Sequence, residues 1–105
     1  MTDLPIVGFI VLSAALFSVG IFGILTRRNF ILLLIAIEIA MNAAILNFVY
    51  FAAYLGGTNG LTGQAIAVVL IGFAATEVAV GLGIVLALNR LKGTINVAQA
   101  TELKL

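Results

Sequence analysis

The stretch Phe30–Leu55, FILLLIAIEIAMNAAILNFVYFAAYL, decides how the chain is read. It is apolar nearly from end to end, and Glu38, Asn42 and Asn47 are its only strongly polar members. An apolar run beyond the ~20 residues that cross ~30 Å of hydrocarbon reads as a transmembrane helix. A carboxylate near the middle of such a run is expensive, and such residues usually mark proton or ion paths.

Two further stretches flank it. One runs from about Ile6 to Thr26 and ends at Arg27-Arg28-Asn29; the other runs from Gln64 to about Asn89 and contains Thr76 and Glu77. Between the second and third lies Gly56-Gly57-Thr58-Asn59-Gly60-Leu61-Thr62-Gly63, whose composition predicts a turn. A polar tail covers 90–105. The expectation is one membrane domain over 1–105, all-α, with three transmembrane helices at about 6–26, 30–55 and 64–89. The first stretch has no basic segment before it, only Asp3, so it reads as a true span and not as a signal peptide.

Composition agrees. The chain is 64% hydrophobic and 9% charged, where soluble domains carry about a quarter of their residues as charges. It has no Cys and no His, which excludes disulfides, Cys/His metal sites and thiol chemistry. The net charge of +1 gives no indication of nucleic acid. Arg27 and Arg28 precede the second helix, and Arg90 and Lys92 follow the third. With three spans these basic segments share one side, which the positive-inside rule makes cytoplasmic. The N-terminus is therefore expected outside and the C-terminus in the cytoplasm.

Glu38 lies ten residues past Arg28, about 15 Å at helical rise, and Glu77 thirteen residues before Arg90, about 20 Å. Both are thus expected near the midplane, within about one turn of each other in depth. No Lys, Arg or His within the spans can pair with them, so any cationic partner comes from another chain. The competing reading is that each glutamate is a neutral hydrogen-bonding residue that holds helices together. Asn42, at i+4 from Glu38, can bond its carboxyl or hold a water. Gly81, at i+4 from Glu77, leaves room for close packing or water. Thr76 is expected to bond back to its own helix and Asn29 to cap the second helix; Asn47 has two readings, an interhelical bond near the outer end or a functional role. Gly20, Gly23, Gly72, Ala75, Ala79 and Gly83 form small-residue faces for helix packing. Arg27 and Arg28 read as topological anchors, or as contacts to a partner subunit or a proton-uptake route.

Gly20, Gly23 and the Arg27-Arg28-Asn29 loop lead into Glu38-Ile39-Ala40-Met41-Asn42-Ala43, and later comes Ala75-Thr76-Glu77-Val78-Ala79-Val80-Gly81-Leu82. Over nearly its whole length the chain resembles the K subunit (mitochondrial chain 4L) of proton-pumping NADH:quinone oxidoreductase. The resemblance implies a membrane-arm subunit without a redox centre, set in a bacterial or archaeal plasma membrane or its organelle equivalent. It implies proton transfer at Glu38 and Glu77, with Asn42, Arg27 and Arg28 in support. NADH, flavin, iron–sulfur clusters and quinone would belong to partner subunits. The partners implied are antiporter-like and quinone-site subunits, together with the lipid bilayer. Thr76, often Ala in the family, and a glycine-rich segment longer than in some members are the departures. Equivalent subunits of ferredoxin- or deazaflavin-linked dehydrogenases and of membrane-bound hydrogenases are similar. Antiporter C-type subunits generally lack the helix-two glutamate, so Glu38 argues against them. A small multidrug exporter would have four spans and an acid in helix one. A rotor-ring subunit would have two helices and one key carboxylate.

Overall fold

A computed structural model describes residues 4–93 and 96–97. It contains three helices, α1 (Leu4–Thr26), α2 (Phe30–Leu55) and α3 (Gly57–Lys92), each long and apolar enough to cross a membrane. Asp3 and most of the polar tail, 94–95 and 98–105, lie outside the described residues.

The helix ends follow local chemistry. Pro5 falls in the first turn of α1, where its missing N–H costs nothing. Asn29 caps α2, its Oδ1 accepting from the backbone N–H groups of Ile31 and Leu32 at 2.9 and 3.4 Å. α3 ends at Gly93 in the left-handed region (φ 65°), whose N–H donates to the Asn89 carbonyl. Arg90 and Lys92 stand in its last turn, where the helix dipole favours cations.

α3 departs from the sequence expectation. It begins at Gly57, seven residues before Gln64, and extends to Lys92. The reversal from α2 needs only Gly56 and Gly57, both at positive φ (63° and 56°), a region glycine occupies without strain. Gly60 and Gly63, three apart on one face, are not turn residues. A Cβ on Gly60 would lie 2.6 Å from the Ala52 carbonyl oxygen, and one on Gly63 would lie 2.8 Å from Ala52 Cβ. These glycines let the first turns of α3 pack directly against the last turn of α2. At 1.5 Å per residue the 36 residues of α3 reach about 54 Å, well beyond the hydrocarbon core.

α2 lies between α1 and α3 and packs against both. The molecule measures 57 × 24 × 16 Å. α1 meets α2 through small residues: a Cβ on Gly20 would fall 2.7 Å from the Ala40 nitrogen and 2.8 Å from the Ala36 oxygen. Buried Ser13 donates to the Ala43 carbonyl at 2.9 Å, and Phe9 stacks on Tyr50 with ring centroids 4.1 Å apart. α2 meets α3 through Ile45, Ala67 and Ala74, with Met41 and Leu70 against them. A methyl group on Gly72 or Gly83 would meet nothing within 4 Å, so their side of α3 faces away from this chain.

Candidate proton-transfer site

The register of α2 against α3 sets the relation between the two glutamates. Leu34 packs against Gly81, and Ala52 against Gly63. Glu38 lies four residues beyond Leu34, and Glu77 four residues before Gly81, so the antiparallel pair places them at the same level. Packing thus sets the two glutamates level along the α2–α3 pair. The space beside Gly81 holds Leu34, the close-packing alternative of the two expected there.

Level is not the same as adjacent. Ala74, Gly81 and Val85 mark the side of α3 that faces α2. At 100° per residue, Leu82 is turned about 80° from their mean direction one way and Glu77 about 60° the other. Glu38, half-buried, lines a groove of about 210 Å³ between α2 and α3, together with Leu34, Ile35, Val78 and Leu82. Glu77 is not part of that groove. It is exposed on the other flank of α3, open to lipid or to a neighbouring chain. Neither carboxylate makes a hydrogen bond or ion pair with another described residue.

The supporting residues divide. Asn42 is exposed and makes no hydrogen bond to Glu38 among the described residues. Arg27 and Arg28 are exposed in the α1–α2 connection. The Arg27 N–H donates to the Gly23 carbonyl at 3.0 Å, and the Arg28 carbonyl accepts from the Val97 N–H at 2.6 Å. An antiparallel bridge between Asn29 and Asn96 accompanies that bond, so the chain after α3 is tied back to the arginine loop. No sequence pattern signals this tie. Thr76 donates to the Gly72 carbonyl at 2.9 Å, within its own helix as expected. Of the two readings for Asn47, the interhelical bond is not formed through its oxygen. Its Oδ1 is buried without a hydrogen-bond partner, beside a groove of about 400 Å³ that Asn59 and Thr62 also line. Ser13, which nothing in the sequence singles out, makes the α1–α2 hydrogen bond instead.

Two carboxylates level with each other, on opposite flanks of one pair of apolar helices, stand in a chain whose three helices are each long and apolar enough to cross a membrane. Comparison with known proteins gives the family. The family model for NADH-ubiquinone/plastoquinone oxidoreductase chain 4L matches residues 8–105. NADH-quinone oxidoreductase subunit K of a Geobacillus species is 40% identical over 104 residues, 99% of each chain. The subunit K of Bacillus anthracis is 42% identical over 104 residues, again 99% of each. One of Syntrophobacter fumaroxidans is 44% identical over 96 residues, 91% of this chain and 93% of that one. The chain belongs to the chain 4L (subunit K) family.

Proposed function

We propose that the chain is a membrane-arm subunit of a proton-translocating NADH:quinone oxidoreductase, and that Glu38 and Glu77 carry protons within it. Family membership supports the first part. The observation that carries the second is the register that sets Glu38 and Glu77 level, with no counter-charge among the described residues of the spans. Carboxyl groups within membrane spans commonly form proton relays. Glu38 receives and releases protons in the α2–α3 groove; Glu77 does so on the outer flank of α3, toward a neighbouring subunit. Lysines, acids and waters of partner helices complete the route, since three helices are too few to enclose a pathway alone. Electron transfer in the partner subunits supplies the driving force. This chain, without Cys or His, contributes no ligand set of its own for an iron–sulfur cluster. The Arg27–Arg28 and Arg90–Lys92 end faces the cytoplasm under the positive-inside rule, and the two arginines anchor that orientation.

The test is Glu38→Gln and Glu77→Gln in the assembled complex, reconstituted in vesicles, with quinone reduction and proton uptake followed together. Both variants are expected to assemble and to lose proton translocation. Normal translocation in both would overturn the proposal. Failure to assemble would favour the role of hydrogen-bonding packing residues.

A further inference from the structure

The Glu38 groove does not end blindly. At the Arg27–Arg28 end of the same crevice is a second cavity of about 490 Å³, rimmed by Asn29, Asn89 and Asn96 and floored by Ile31 and Leu86. Ile31 also lines the Glu38 groove. On α2, Ile31, Ile35 and Glu38 follow one another at i, i+4 and i+7, a single helical stripe. On α3, Leu82, Leu86 and Asn89 repeat that spacing on the facing wall. The two cavities are therefore successive parts of one crevice, polar at its mouth and apolar along its walls until Glu38. The bond from the Val97 N–H to the Arg28 carbonyl and the Asn29–Asn96 bridge hold the chain across the mouth.

We propose that this crevice is a water path to Glu38 from the aqueous side of Arg27 and Arg28, with Ile31 as its hydrophobic gate. At the mouth the Asn89 amide can donate to and accept from water, and the Asn29 side chain, its oxygen taken by the α2 cap, can donate. Ile31 lines both cavities, so its apolar side chain is what the water has to wet in passing from the mouth to Glu38. When the crevice is wet, a hydronium ion transfers one proton to the Glu38 carboxylate, leaving a neutral acid and a water molecule. The proposal rests on the reading of Glu38 as a proton carrier, but its gate and mouth are separate residues.

The chain contains no cysteine, so Ile35→Cys introduces a unique thiol on the crevice wall. In the whole complex, in vesicles with the arginine loop facing out, a membrane-impermeant methanethiosulfonate is added and the mass of this subunit is read. Ile35→Cys is expected to be modified. Leu32→Cys, nearer the arginine loop but off the crevice, is expected to be spared. Adding Ile31→Trp, or Leu82→Trp from the facing wall should the first not assemble, is expected to abolish modification and to slow proton uptake. An unreactive Ile35→Cys in an assembled, active complex would overturn the path and show the groove filled by lipid or a partner helix. Labelling that persists with the tryptophan in place would overturn the gate. If Glu38→Gln loses pumping while Ile35→Cys stays unreactive, the path fails and the proton-carrier reading stands. If Ile35→Cys reacts but Glu38→Gln pumps normally, the proton-carrier reading fails and the proposed path fails with it.

Discussion

Glu38 shares its groove with Val78, yet Glu77, one residue earlier on α3, points to the other side of the α2–α3 pair. The two acids stand at one level and are separated by the helix contact itself, where Leu34 fills the space beside Gly81. A proton passing between them travels around that contact, through groups of neighbouring chains. Carriers in series make non-additive losses. The double variant Glu38→Gln/Glu77→Gln is therefore expected to pump no worse than the more impaired single variant, as measured by proton uptake in vesicles. Multiplying losses would indicate two parallel routes.

The α1–α2 contact predicts an intolerant glycine. A methyl at Gly20 meets backbone atoms of Ala36 and Ala40, which cannot rotate away. Gly20→Ala is expected to destabilise the helix pair by about 1–3 kcal/mol, the cost of overpacking. The check is thermal unfolding in detergent, with Gly8→Ala as the control because nothing lies within 4 Å of a methyl there.

At Gly81 the obstacle is a side chain and can be removed. Gly81→Ala is expected to weaken α2–α3 packing, and Leu34→Ala to relieve that clash when the two are combined. A double-mutant cycle on subunit stability should show coupling of about 0.5–3 kcal/mol. Strict additivity would contradict the assigned register.

The reversal at Gly56 and Gly57 gives a backbone prediction. Gly56 adopts φ 63° and ψ −174°, a region nearly closed to residues with a Cβ. Gly56→Ala is expected to cost about 1–3 kcal/mol of stability, measured by the same unfolding assay. Asn29→Ala, which removes the α2 cap, is expected to cost about 1 kcal/mol, and Asn29→Asp much less.

Hydropathy suffices to find three helices, because an apolar chain in lipid has no alternative way to satisfy its backbone. Counting from the basic residues gives both glutamates nearly the same expected depth, and the helix register sets them level along the α2–α3 pair. The start of α3 is illegible: four glycines between 56 and 63 look alike in sequence, but two turn the chain and two press on Ala52. The flank on which each glutamate opens depends on which residues of α3 face α2, and an apolar helix with small residues all round does not display that side in its sequence. For the same reason, the small-residue face of α3 is legible while its partner is not, since Gly72 and Gly83 meet nothing in this chain. The tie from Val97 to Arg28 is a backbone bond with no side-chain signature.

The most direct measurement is the ratio of protons translocated to electrons transferred, in reconstituted complex bearing Glu38→Gln, Glu77→Gln or the charge-retaining Glu38→Asp. A loss is expected in both glutamine variants with the complex intact, and partial recovery in the aspartate variant. An unchanged ratio in both glutamine variants would contradict proton transfer at Glu38 and Glu77.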